Sequence, residues 1–346
     1  MRIRKALVLF LALLMLAGCA QTPVQQETEP ETEQTQQQAV TETEDTTESV
    51  GYVDAAPMVV EIADEMVALA ESPAAVPALP DLPTAKASGT KEKRVTKAVI
   101  DYSNTKDGYV MVQFTAQTAK RIKAQVKGPA TTYTYNVTPG QWEVFPLSDG
   151  NGKYQVGVYE NVTGTKYAAV TSVSFDVALT DQFAPFLLAN QYVNYTASSK
   201  IVAKAGELVK ADMELLKKVE AVYNYVVTNL TYDTQKAATV KSGYLPVLDT
   251  VLEQKKGICF DYAALMTGML RSQGVPCKLV VGYAGTAYHA WISVWSEKTG
   301  WVDGAIFFDG TTWQRMDPTF ASSGKKSDSI MKYIGNGANY TAKYLY

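Results

Sequence analysis

Histidine and cysteine are scarce in this chain of 346 residues, which contains one His and three Cys. A single imidazole excludes sites that need two, such as the HExxH zinc motif. No two cysteines have the CxxC spacing, and no acidic cluster has the spacing of a calcium-binding EF-hand loop. The sequence therefore predicts neither a metal centre nor a bound cofactor.

An excess of positive charge is also missing. The formal net charge is −3, and the charges are unevenly spread, with three basic residues within residues 2–5 and eight acids within residues 20–50. The rest of the chain has 29 basic and 27 acidic side chains, so it is close to neutral. Nucleic-acid binding needs a strongly basic surface. The composition therefore predicts no nucleic-acid partner.

The N-terminus has the layout of a secretion signal. After the basic start comes an apolar run over residues 6–17, which is too short for a membrane-spanning helix. The run ends in Leu-Ala-Gly-Cys, which resembles the lipobox of bacterial lipoprotein signal peptides. The resemblance implies a signal peptide over residues 1–18, lipid on Cys19, and an extracytoplasmic protein that its lipid anchors to the bacterial cell membrane. An ordinary secretion signal with an incidental Cys19 is the alternative.

Residues 19–93 are predicted to be the lipidated cysteine and a disordered tether. Residues 20–50 are rich in Gln, Thr and Glu and contain no aromatic residue, so they cannot bury enough apolar surface to offset the entropy of ordering. A short helix fits the apolar spacing of residues 57–70, and a proline-rich stretch follows. We expect the folded part to begin near Arg94.

The length and the 47% content of hydrophobic residues allow two folded domains. Residues 94–180 have the period-two pattern of short strands separated by glycine-containing turns, which predicts an all-β antiparallel sandwich. Leu147, Gly152 and Tyr154 resemble the corner before a late strand in fibronectin-type-III-like domains, and the resemblance implies an immunoglobulin/fibronectin-III-like sandwich. Several of its aromatic residues allow two interpretations, a ligand-binding face or core packing, and core packing is favoured. These residues are Tyr133, Tyr135, Trp142 and Phe145.

Residues 181–346 have a mixed pattern. Apolar residues at helical spacing predict an amphipathic helix over 211–229, with Asp212 as its N-cap, and further helices over 245–254 and 259–273. Strand-like runs follow these helices. Helices followed by antiparallel strands indicate an α+β domain.

Three residues of this second domain have the chemistry of a catalytic triad. Cys259 follows a glycine turn at Gly257 and begins a predicted helix, and a helix N-terminus stabilises a thiolate. His289 is the only imidazole, so it is the only partner of that type for proton transfer. Asp317, before a proline at the end of a predicted strand, can hold His289 in one tautomer. An inert buried cysteine, a packed histidine and a turn-forming aspartate are the alternatives.

Three ordered segments strengthen this interpretation. GICFDYA contains Cys259, HAW begins at His289 and DPTF begins at Asp317. Together they resemble the transglutaminase-like superfamily, and the resemblance covers about residues 205–320. It implies a papain/transglutaminase-like α+β catalytic domain. In that domain Cys259 is the nucleophile, His289 is the general base and acid, and Asp317 orients His289.

The resemblance also implies how a reaction intermediate is held. The backbone N–H of Cys259 would donate to the oxyanion. Tyr232 and Gln254 are candidates for a second donor by position only, and Trp291 is expected to pack beside the imidazole. Asp261 is expected to brace the start of the helix, and Cys277 to be a buried packing residue.

The sequence thus predicts a membrane-anchored cysteine enzyme that acts on amide bonds through a thioester at Cys259. The triad alone leaves two reactions open, peptidase or amidase hydrolysis and protein-glutamine acyl transfer. The predicted location favours extracellular proteins or cell-wall peptides as substrates. The alternatives are a catalytically silent surface protein that serves in binding or cell-envelope scaffolding, and an adhesin that binds through the sandwich.

Overall fold

A computed structural model of the protein describes residues 82–296, 300–303, 306–308, 313–315 and 339–346. The predicted signal peptide, Cys19, the tether as far as residue 81 and Asp317 lie outside the described residues. Among the helices that are described, none is both long and apolar enough to cross a bilayer.

Eight antiparallel strands, numbered in chain order, form two four-stranded sheets over residues 92–177. The first sheet contains, in spatial order, β1 (Glu92–Val95), β2 (Ala98–Asp101), β3 (Tyr109–Phe114) and β6 (Trp142–Pro146). The second contains β5 (Thr132–Val137), β4 (Ile122–Lys127), β7 (Gly152–Thr163) and β8 (Lys166–Val177). The period-two pattern thus predicted strands correctly, and their immunoglobulin- or fibronectin-like arrangement stays a prediction.

Helices come next, and a third sheet follows them. The helices are α1 (Lys200–Leu208), α2 (Leu215–Asn229), α3 (Thr234–Thr239), α4 (Leu248–Gln254) and α5 (Cys259–Arg271). The third, antiparallel sheet contains β13 (Gly300–Asp303), β12 (Ala287–Ser296), β11 (Cys277–Ala284) and β16 (Tyr340–Leu345). Two small pairs are β9 (Thr231–Tyr232) with β10 (Lys256–Gly257), and β14 (Ile306–Phe308) with β15 (Trp313–Arg315). This order agrees with the α+β prediction for the second half of the chain.

The predicted N-cap of the long helix is wrong. Helix α2 begins at Leu215, and its N-cap is Glu214 rather than Asp212. The reason is a turn just before the helix, in which the N–H of Met213 donates to the carbonyl of Lys210 at 3.1 Å. The turn takes Asp212 out of the position from which a side chain can cap the first helical amides.

Helix α5 lies at the centre of the second half of the chain, and every residue in it except Phe260 is buried. It packs against β11 and β12 and against α1, α2 and α4. Gly268 makes this close packing possible, because an added Cβ would lie 2.8 Å from Leu248 Cδ1 and 2.9 Å from Ile201 Cδ1. A glycine within a helix costs about 1 kcal/mol, and the approach of two helices explains its presence here.

An aromatic cluster joins the second sheet to the third. Tyr133 and Tyr135 of β5 are 1% exposed, and their rings lie 5.7 and 5.9 Å from the ring of Tyr346. Tyr192 stacks on Tyr346 at 4.1 Å. Core packing is therefore confirmed for these two tyrosines and for the fully buried Phe145, whereas Trp142 is 36% exposed. The predicted boundary at residue 180 stays a prediction, and one continuous core spans both of its sides.

The ordered contacts begin before Arg94. The N–H of Gly89 donates to Asp101 at 2.6 Å, and the N–H of Lys86 donates to the Tyr109 hydroxyl at 3.1 Å. Leu82 packs against the hydrophobic core. Residues 82–91 thus lie against the first sheet, although their composition resembles a linker.

Candidate active site

Cys259 is the first residue of α5 and is 5% exposed. The preceding Ile258 has extended backbone and occupies the N-cap. Gly257 leaves no room for a side chain, because a Cβ there would lie 2.5 Å from the Cβ of Asp261. The Gly-Ile-Cys segment therefore allows the strand–helix turn that places the thiol where the first helical N–H groups converge.

The buried carboxylate of Asp261 braces this turn. It accepts hydrogen bonds from the Ile258 N–H at 2.8 Å, from Lys236 Nζ at 2.6 Å and from the Tyr244 hydroxyl. Burial, together with the bond to Asp261, raises the pKa of Tyr244, so this hydroxyl remains a donor. The predicted bracing role of Asp261 is confirmed, and it includes two partners that the motif did not reveal.

His289 lies on β12 directly opposite Gly282 of β11 and is 7% exposed. The indole of Trp291 lies beside the imidazole, with ring centroids 6.2 Å apart and planes at 20°. Gly282 is required here, because a Cβ would overlap the Thr341 carbonyl oxygen and lie 2.9 Å from the Trp291 ring. The strand pair thus fixes the imidazole against a buried indole, as the resemblance implied for Trp291.

One cavity of about 230 Å³ has both Cys259 and His289 in its lining. Helix α5 packs against β12, which explains why residues 30 apart in sequence meet there. Four tyrosines also line the cavity, together with three polar side chains that belong to β4 and β5. They are Tyr192, Tyr244, Tyr288, Tyr346, Lys123, Thr134 and Asn136. The structure therefore brings two of the three predicted triad residues to the lining of one cavity.

The other predicted site residues lie elsewhere. Tyr232 is in β9 and pairs with Gly257, one residue from the N-cap of α5, but it does not line the cavity. Gln254 is the exposed last residue of α4 and does not line the cavity either. Asp317 lies outside the described residues, so its role stays a prediction.

Cys277 is fully buried at the start of β11, and both it and Cys259 are free thiols. Its Sγ lies 3.6 Å from the hydroxyl of Thr267, and burial raises the pKa of the thiol to about 11. A buried thiol that holds its proton packs as a small apolar residue. The packing role predicted for Cys277 is confirmed.

Several cavity residues could not be found by motif. Lys123, Thr134 and Asn136 belong to strands more than 100 residues before His289. Their alternation with buried residues marks them as pointing away from the sheet's core, but it does not show what they face. Gln191 adds to this wall, since its amide donates to the Asn136 carbonyl at 2.7 Å. Within the residues described, no group of three or more His, Cys, Asp or Glu side chains is placed to hold a metal ion.

Comparison with known proteins places this site in a family context. Residues 202–318 match the model of the transglutaminase-like superfamily. The chain is similar to an uncharacterized protein of Mycobacterium leprae, with 31% identity over 137 residues, 36% of this chain and 46% of that protein. It is also similar to a protein-glutamine gamma-glutamyltransferase of Pseudomonas aeruginosa, with 29% identity over 85 residues, 20% of this chain and 12% of that protein.

A solved structure with some likeness is the periplasmic domain of TgpA from Pseudomonas aeruginosa bound to ethylmercury. Its sequence identity is 15% and its TM-score 0.31, over 68% of this chain and 99% of that chain. The chain spans less than half the length of the curated relatives that it matches.

Proposed function

We propose that residues 202–318, which match the model of the transglutaminase-like superfamily, belong to a cysteine enzyme that acts on amide bonds. The observation that carries the proposal is the shared cavity, which is lined by the thiol at the start of α5 and the imidazole on β12. Cys259 is the nucleophile and His289 the general base and acid. Asp317 orients His289 through its tautomer.

The reaction proceeds in two steps. Cys259 Sγ gives its proton to His289 and attacks the amide carbonyl carbon. The carbon–nitrogen bond then breaks as His289 transfers the proton to the leaving nitrogen, and a thioester remains on Cys259. The first N–H groups of α5, including that of Cys259, stabilise the oxyanion.

The thioester is resolved by either of two acceptors. Water attack, with its proton taken by His289, releases a carboxylic acid, which is peptidase or amidase chemistry. Amine attack forms a new amide, which is glutamine acyl transfer. In both cases the proton returns to Cys259 Sγ. The name of the Pseudomonas aeruginosa relative supports the second reaction as a candidate, and the choice depends on which acceptor reaches the cavity.

The location forms a second part of the proposal. The lipobox-like segment supports a lipid on Cys19 and a tether that holds the enzyme at the outer face of the cell membrane. Extracellular proteins and cell-wall peptides would then be its substrates. We expect labelled fatty acid to be incorporated into the wild-type protein and not into Cys19→Ala, which should appear in the soluble fraction. Membrane retention of Cys19→Ala without label would contradict the anchor.

The activity test compares three variants of the purified protein. A glutamine-containing peptide is incubated with and without an amine, and products and the Cys259 acyl-enzyme are followed by mass spectrometry. We expect Cys259→Ala and His289→Ala to lose turnover by at least about 1000-fold, and Cys277→Ala to keep it. Wild-type turnover by Cys259→Ala would refute the mechanism. A wild-type protein that forms no acyl-enzyme would favour the silent binding or scaffolding alternative.

A further inference from the structure

One wall of the active-site cavity comes from the second sheet rather than from the transglutaminase-like domain. Lys123 of β4 and Asn136 of β5 lie directly opposite each other in the strand ladder, and Thr134 follows on the same face of β5. All three line the cavity that contains Cys259 and His289. A substrate that reaches the thiol therefore contacts side chains far from the catalytic motifs.

The charge of this lining has one sign. The described lining residues include two lysines, Lys123 and Lys241, and no aspartate or glutamate. The Lys123 ammonium is partly buried, and its Nζ has no hydrogen bond or ion pair to any residue that the structure describes. By contrast, Lys97, which is also near the second sheet, pairs with Glu160 at 2.8 Å.

Partial burial without a counter-ion is costly for an ammonium group. Burial and the nearby Arg121 lower the pKa of Lys123, because both disfavour its charged form. An anion in the cavity would offset the lost hydration and would form a charge-assisted hydrogen bond with Nζ. The neutral donors and acceptors of Thr134 and Asn136 can bind polar groups beside it but cannot supply that charge.

We propose that the enzyme selects acyl donors that carry a carboxylate next to the scissile amide, and that Lys123 is the residue that binds this carboxylate. The proposal rests on the proposed amide-bond activity and deepens it by naming the substrate class. The carboxylate is either an acidic side chain that flanks the scissile amide or the free α-carboxylate of a terminal residue. Both present the same anionic oxygens to the Lys123 ammonium.

A probe that does not depend on turnover tests the charge recognition. Cys259 is alkylated with iodoacetate, which is anionic, and with iodoacetamide, its neutral analogue, and the two rates are compared by mass spectrometry. We expect the ratio of the Cys259 alkylation rate with iodoacetate to the rate with iodoacetamide to be about tenfold lower in Lys123→Gln than in the wild type, and lower still in Lys123→Glu. Lys127→Gln is the matched control, because Lys127 is on the same face of β4 but is exposed and outside the cavity.

Peptide substrates then distinguish the two sources of the carboxylate. In one pair of peptides, the residue that flanks the scissile amide is Asp in one member and Asn in the other. In the second pair, one member ends in a free carboxylate and the other in a carboxamide. We expect wild type and Lys127→Gln to prefer the acidic member of at least one pair about tenfold in kcat/KM, and Lys123→Gln to lose that preference.

The outcomes separate the two proposals. An iodoacetate-to-iodoacetamide ratio that is equal in wild type, Lys123→Gln and Lys127→Gln would overturn charge selection by Lys123, even if the enzyme cleaves amides. Equal loss in both lysine variants would also overturn it, since only general surface charge would be involved. A wild-type Cys259 that neither reagent alkylates would overturn the cysteine-enzyme proposal, and the substrate class would fall with it.

Discussion

Removal of the Asp261 carboxylate should destabilise the fold and disturb the start of α5 together. Its side chain is completely buried, and it holds the Ile258 N–H, the Lys236 ammonium and the Tyr244 hydroxyl in one network. Asp261→Ala removes all three hydrogen bonds with one change and leaves the helix start without its acidic brace.

The cost can be built from these contacts. The buried Ile258 N–H is left unsatisfied, which costs about 1–3 kcal/mol, and the loss of a first-turn carboxylate costs about 0.3–1 kcal/mol. The Lys236 side chain is 27% exposed and can regain water, so breaking this pair costs less than the about 3–5 kcal/mol of a fully buried one. We expect Asp261→Ala to lower the free energy of unfolding by about 2–4 kcal/mol.

Urea unfolding measures this loss, and Asp233→Ala is a matched control. Asp233 caps the short helix α3 by accepting the Lys236 N–H at 2.9 Å, and α3 has no buried residue. The control should therefore lose about 1 kcal/mol. A double-mutant cycle of Asp261→Ala with Lys236→Met should give a coupling energy of about 1 kcal/mol or more. If Asp261→Ala costs no more than Asp233→Ala, the network is not what holds the helix start.

Three other changes have definite expected outcomes. Gly282→Ala should reduce both Cys259 alkylation and stability, the latter by about 1–3 kcal/mol in urea unfolding, because the added methyl group would collide with the Thr341 carbonyl oxygen of β16 and with the Trp291 ring beside His289; wild-type alkylation and stability would refute this. Arg271→Leu should cost at least about 3 kcal/mol, since its buried guanidinium donates to three backbone oxygens; Arg271→Lys should recover part of the loss. Burial raises the pKa of Tyr195 to about 12. The stability that its neutral, buried hydroxyl contributes is therefore complete below pH about 10 and is lost as the pH rises to about 12. Between pH 9 and pH 12 the free energy of unfolding should therefore fall by about 2–3 kcal/mol less in Tyr195→Phe than in the wild type. An equal fall in both proteins would contradict the raised pKa of Tyr195.

The sequence predicted the elements of the candidate site well because their signals are local. The glycine turn before Cys259, the apolar run of α5 and the strand-like apolar runs of β11 and β12 are each contained within one short segment, so those elements could be predicted with small errors at their ends. Asp212 failed as a cap because a competing turn, also local, has no strong sequence signal. Local signals therefore placed Cys259 and His289 on the right elements but put the start of α2 too early.

The wall of the cavity could not be predicted for a different reason. The alternation in β4 and β5 shows that Lys123 and Asn136 point away from the sheet's core. It contains no information about which distant segment packs beside that face, because this depends on contacts between residues far apart in sequence, such as the bond from the Gln191 amide to the Asn136 carbonyl. Long-range docking of this kind is a property of the packed molecule, and no single stretch of sequence encodes it.

The aromatic cluster of Tyr133, Tyr135, Tyr192 and Tyr346 also limits how this protein can be divided. A fragment that begins at residue 181 would keep all three motifs, but Tyr192 and Tyr346 would lose their T-shaped contacts with Tyr133 and Tyr135 while keeping their stacking on each other. Such a fragment would be prone to self-association through the uncovered rings and would lack the wall of the cavity that Lys123, Thr134 and Asn136 form. The strands of residues 92–177 and the second half of the chain should therefore melt in one transition, as a single cooperative unit rather than as two bodies that fold independently.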